Sequence, residues 1–133
     1  MKKLVLMVLM VGTSALFAEE GCVAVTKENL CIQLEWQEGP FLGTYSKNIV
    51  MFKDLVLSTE DHVAYRSPSE NIQFFGWMIM GSHAHGTRPV VTKIIEKGVY
   101  ENSEIFYMGG MTGTWQFKVK LGQEEFVLHA LDH

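Results

Sequence analysis

Apolar and polar side chains alternate with a period of two along most of this chain, the pattern of strands with one face buried. Leu30-Cys-Ile-Gln-Leu-Glu-Trp36 sets Leu30, Ile32, Leu34 and Trp36 on one face and Gln33 and Glu35 on the other. Glu38-Gly-Pro-Phe-Leu-Gly43 breaks that run. Asn48 to Lys53 predicts a second, less regular strand, and Asp54 to Ser69 reads as a polar connection with a short strand at Leu55-Val-Leu57. Ile72-Gln-Phe-Phe-Gly-Trp-Met-Ile-Met80 is apolar on both faces, which predicts a central strand. Its alternation puts Met78 and Met80 on one side and Trp77 and Ile79 on the other.

The pattern continues to the end of the chain. Pro89 to Glu96 and Val99 to Met108 predict two strands joined by a tight turn at Lys97-Gly98. Thr114 to Leu121 is the clearest, with Trp115, Phe117, Val119 and Leu121 inward and Gln116, Lys118 and Lys120 outward. Glu124 to Leu131 returns with Phe126, Leu128 and Ala130 inward and His129 outward. No segment beyond the N-terminal apolar run sustains a helical period. The expected fold is therefore all-β, an antiparallel sandwich of immunoglobulin-like type with about seven strands. The Cys…Trp…Cys spacing of antibody domains is absent, so that likeness is architectural only.

The N-terminus changes the picture from fold to compartment. Met1-Lys-Lys, the apolar run Leu4 to Val11 and the small residues up to Ala18 form a signal-peptide pattern, with cleavage expected after Ala18. The apolar run is short for a membrane span. Residues 19–133 would then be a single domain, long enough to bury a core. Glu19-Glu-Gly21 before Cys22 is unlike the small apolar residues that a lipid attachment requires, so no lipid anchor is expected. In an oxidising compartment the only two cysteines, Cys22 and Cys31, should form a disulfide. Without Lys2 and Lys3, nine basic side chains remain against fifteen acidic ones. Such a surface repels nucleic acid and anionic lipid.

Chemistry concentrates in two Gly-rich stretches. Trp77-Met-Ile-Met-Gly-Ser-His-Ala-His-Gly86 holds Met78, Met80, His83 and His85, and Tyr107-Met-Gly-Gly-Met-Thr-Gly-Thr-Trp115 adds Met108 and Met111. Thioethers and imidazoles without carboxylates suit Cu(I) rather than Ca²⁺ or Mg²⁺. The expected site takes Met78 or Met80, His83 or His85, and Met108 or Met111 to one end of the sandwich. Such a site would hold one Cu(I) for delivery to an envelope or membrane partner. Blue-copper electron transfer needs a Cys thiolate among the imidazoles, and both cysteines lie far upstream. Zinc would find His83 and His85 but no evident third and fourth ligands.

The run from Gly76 to Leu121 resembles the YtkA-like/FixH-like group of small exported or membrane-anchored β-sandwich domains. The matching residues are Met78, Met80, Gly81, His83 and Gly86 in a Met- and His-bearing turn. A Gly98-Val99-Tyr100 step and a closing element of Met111, Gly113, Thr114 and Trp115 follow. Ile79 stands where that group usually places a proline. The resemblance implies an immunoglobulin-like sandwich of the cell envelope or periplasm, found in copper or oxidase-assembly settings, without catalysis.

Two other readings are set beside it. Catalysis finds no ordered Ser/His/Asp set or phosphate-cradling loop; Ser58 and Asp61-His62 share only a polar loop, so no enzyme is expected. A metal-free interaction module of the periplasm would instead place Trp36, Trp77, Tyr100 and Tyr107 on one sheet face, with the methionines as adaptable contacts or core.

Overall fold

The computed structural model describes residues 21–132. The expected signal peptide, residues 1–18, lies outside the described residues, as does His133. Nine strands form among them: β1 (Cys22–Val25), β2 (Leu30–Glu38), β3 (Tyr45–Asp54), β4 (Ile72–Met80), β5 (His83–Gly86), β6 (Val91–Glu96), β7 (Val99–Phe106), β8 (Thr114–Leu121) and β9 (Glu124–Asp132). They make two antiparallel sheets, one ordered β1-β2-β3-β7-β6 and the other β9-β8-β4-β5. The sheets face each other as a sandwich that includes two strands the pattern does not predict. The extra pair, β1 and β5, are four residues each, too short to show a period.

Period two explains the core. On β3 the even residues Ser46, Asn48, Val50, Phe52 and Asp54 are buried, and on β8 the odd residues Trp115 to Leu121 are. Aromatic rings then join the sheets. Phe74 of β4 stacks on Phe117 of β8 with centroids 6.2 Å apart, and both meet rings from the other layer. Phe74 lies 5.7 Å from Tyr100, and Phe117 lies 5.9 Å from Trp36. Such contacts add to burial because ring edges and faces carry opposite partial charge. Cys22 and Cys31 form a disulfide with Cα atoms 5.6 Å apart, tying β1 to β2. Among the described residues no helix is long and apolar enough to cross a membrane.

Two expectations are corrected by local polar or backbone effects. Leu55-Val56-Leu57 is a turn, not a strand. The Asp54 carboxylate accepts the N–H groups of Val56 (2.9 Å) and Leu57 (3.1 Å) and so curls the chain. Arg66 donates to the same carboxylate at 3.1 Å. On β9 the register against β8 shifts between Val127 and His129. This bulge inserts one residue and reverses the faces that follow. His129 therefore sits opposite Phe117, its ring 5.6 Å from Trp36, whereas Ala130 is exposed.

Burial pushes the His129 pKa below its ordinary 6.5. The imidazolium is the disfavoured form in this setting. Stability tied to neutral His129 is thus complete above pH 6.5 and is lost as the pH falls through the lowered folded-state value. Urea midpoints measured from about pH 7.5 down to about pH 5 should fall less steeply for His129→Leu than for the parent protein.

Candidate functional site

The site begins with a hairpin. Gly81 and Ser82 link β4 to β5, and Gly81 adopts φ +60°, a conformation that two-residue hairpin turns require and that glycine takes without strain. The resulting register sets Met80 opposite His83 and Met78 opposite His85. Side chains directly opposite across a ladder share a face. Met78 is only 3% exposed within the core, so that face is the inner one. Two Met–His rungs therefore stand side by side at the edge of the four-stranded sheet.

The rung nearer the core opens onto a cavity of about 370 Å³. Met78, His85, Arg88, Phe106 and Met108 are among its walls. Met108 arrives from the other sheet, just past the end of β7, and its position is fixed from the core. The buried Trp115 donates from Nε1 to the Met108 carbonyl at 3.0 Å. The preceding Tyr107 accepts at its carbonyl from Gly43 N–H (2.7 Å), and its hydroxyl donates to the Gln116 carbonyl (2.9 Å). Met108 itself is 37% exposed, so the cavity has a mouth.

The His85 ring is oriented too. Its Nδ1 lies 3.1 Å from the Gly86 carbonyl. A carbonyl only accepts, so this contact is a hydrogen bond in the tautomer with the proton on Nδ1, which is the one that leaves a lone pair on Nε2 for a ligand. Arg88 adds the one charged wall: its guanidinium lies 4.3 Å from the Phe106 ring centroid and donates to the Tyr45 hydroxyl at 3.1 Å. A fixed cation there disfavours a divalent ion more than a monovalent one.

One member of each expected pair thus lines the cavity: Met78, His85 and Met108. Met80 packs partly against the core, with His83 exposed across from it, and Met111 is 43% exposed in the turn beyond. Among the described residues no three His, Cys, Asp or Glu side chains gather as a metal-holding group, so the donor set here depends on thioethers. The disulfide leaves neither cysteine as a thiolate. Trp36, Trp77, Tyr100 and Tyr107 do not share a face. Tyr100 and Tyr107 are buried, Trp36 lies between the sheets against Phe117, and Trp77 stands outside beside Phe75. Ser58 exchanges hydrogen bonds with the backbone of Ala64, which gives its hydroxyl a structural task.

Sequence patterning alone read His83 to Gly86 as a loop, whereas it is β5. The available signal was the Gly81-Ser82 pair after an apolar run, which would have fixed both rungs. Arg88 gave no signal, since its place depends on the crossing from β5 to β6. No known protein family, curated protein or solved structure matches this chain.

Because a β-branched residue resists φ +60°, Gly81→Val should destabilise the protein by about 1–3 kcal/mol. Urea unfolding measures that loss. Shifts of the His83 and His85 ring signals with the Phe117 signals unchanged would locate it in the hairpin.

Proposed function

We propose that this chain is an exported β-sandwich protein that binds one Cu(I) through Met78, His85 and Met108 and hands it to an acceptor in the cell envelope. The observation that carries the reading is the convergence of those three side chains, from β4, β5 and the end of β7, on one cavity. Two thioethers and an imidazole form a soft donor set that favours Cu(I) over hard cations. The N-terminal pattern and the disulfide support export, and oxidase assembly fits as the acceptor's setting through the resemblance to the YtkA-like/FixH-like group.

The residues divide the work by exposure. Buried Met78 gives a fixed donor, and His85, oriented by Gly86, presents Nε2. Half-exposed Met108 stands at the mouth, where an acceptor's ligand can replace it. Met80, His83 and Met111 do not border the cavity and are left out of the ligand set.

The test is Cu(I) competition by residues 19–133, disulfide intact, against a chromophoric chelator. One equivalent should bind. Losing a direct ligand should cost more than the 10–100-fold typical of an outer partner, so His85→Ala and Met108→Leu are each expected to weaken binding about 100-fold or more. Met111→Leu should change it only a few-fold. Equal, weak binding by all four proteins would sink the copper reading and leave a metal-free interaction module, its exposed methionines serving as adaptable contacts.

A further inference from the structure

The two layers do not match in width. β5 covers only Trp77 to Met80 of β4, so Ile72 to Gly76 have β8 on one side and no strand on the other. The chain leaves that line at Thr87, whose N–H donates to the Gly76 carbonyl at 3.0 Å. Contact there is tight: a Cβ on Gly76 would lie 2.6 Å from the Thr87 methyl. Arg88 and Pro89 then cross to β6 in the other sheet.

An open strand edge has a definite chemistry. In an antiparallel ladder the N–H and C=O of one residue point the same way, and the direction alternates along the strand. Since the Gly76 carbonyl faces the β5 side, the backbone groups of Phe74 and Ile72 face it too. Asn71 has the opposite parity and turns its carbonyl the other way, to Gly122 N–H at 3.0 Å. A cavity of about 680 Å³ lies along this edge. Four consecutive residues, Ile72, Gln73, Phe74 and Phe75, border it, although they alternate between the inner and outer faces. Only the edge of a strand, not one of its faces, can present such a run.

The far wall is the inner face of β6. Ile94 sits opposite Tyr100 in the ladder, yet it is 67% exposed. β6 is held in place nonetheless: Thr92 donates to Asn102 Oδ1 at 2.7 Å, and Asn102 donates to the buried Asn48 at 3.0 Å. Ile94 is uncovered because no strand of the smaller sheet lies over it. The rim is basic. Arg88 and Lys120 border the cavity against one carboxylate, Glu125, which sits opposite Lys120 in the ladder and pairs with Lys118 at 2.7 Å.

We infer that this groove binds an extended peptide, which adds antiparallel to β4 along the line of β5. Backbone pairing with Phe74 and Ile72 supplies affinity, and alternate side chains supply selectivity, as in other strand-addition sites. The open edge spans about four residues, roughly 13 Å. Apolar residues of the peptide cover Ile94 and Tyr100, and acidic residues between them meet Lys120 and Arg88. None of the proposed copper ligands borders this groove.

The probe is acetyl-Val-Glu-Val-Thr-Val-Glu-amide, added to ¹⁵N-labelled residues 19–133 with the disulfide intact. At millimolar peptide, amide exchange at Ile72 and Phe74 should slow about tenfold or more, the protection expected of new ladder hydrogen bonds. Ile94→Asp and Lys120→Glu, both at surface-accessible positions, should each weaken binding about tenfold, as should replacing the peptide's Glu by Lys. Absence of protection, equal binding of the Lys peptide, or shifts confined to Met78 and His85 would overturn the proposal. So would protection of Ile72 and Phe74 that rises with protein concentration without peptide, which would assign the groove to a second copy of this chain.

Discussion

The register between β4 and β8 is the constraint on which the rest depends. Eight residue pairs, from Ile72↔Leu121 to Ile79↔Thr114, fix it. Because side chains alternate, a slip of one residue would turn Phe74 and Met78 outward and bring Phe75 and Trp77 into the core. Phe75 and Trp77 are as apolar as the side chains they would displace, so what disfavours the slipped state is the misfit of an indole in a core packed around Phe74 and Met78. The stacking of Phe74 on Phe117 and the burial of Trp115 opposite Met78 hold the pairing from within. β5 is then placed by β4, and the Met–His rungs by β5. The far donor obeys the same constraint, because the Trp115 indole that packs behind Met78 also anchors the Met108 carbonyl.

What the sequence made legible follows from this. β8 was readable to the residue because its alternation reports burial directly, whereas β4, apolar on both faces, showed its extent but takes its inner face from its pairing with β8. β5 was hidden because His83-Ala-His-Gly86 is fully exposed and carries no apolar rhythm. Its strand conformation is borrowed from the neighbour it pairs with. The faces of β9 were misread from His129 onward because a bulge is a backbone event with no reliable side-chain mark. Leu55 to Leu57 looked like a strand by propensity, but the carboxylate of Asp54 offered the backbone a better set of bonds. The donor types were legible at once; which of each pair faces the cavity required the register.

Met78 belongs to both the core and the cavity, and that dual place shapes the chemistry. A thioether is among the few side chains that fill apolar space and still offer a lone pair, and it does so without a charge to desolvate. An imidazole or carboxylate at a position 3% exposed would carry a burial penalty that methionine avoids. The other two proposed donors are placed where water reaches, His85 on an exposed strand and Met108 at the mouth. Removing Met78 would confound ligand loss with a core cavity, whereas His85 and Met108 can be changed with little disturbance to packing.

The two cavities share a wall. Gly86, Thr87 and Arg88 border both, one on each side of the segment by which the chain leaves β5 for β6. Arg88 is exposed and is held by a ring and a hydroxyl, Phe106 and Tyr45, rather than by a carboxylate. An acidic side chain in the strand groove would compete for that guanidinium, and drawing it away from Phe106 would lower the positive potential beside Met78 and His85. A cation in the smaller cavity would repel the guanidinium the same way. Both ligands would thus favour one position of Arg88, and linkage makes such a preference reciprocal: whatever factor a peptide contributes to metal affinity, the metal returns to the peptide. The crossing at Thr87 to Pro89, which leaves the smaller sheet incomplete, is also what places one charge within reach of both spaces.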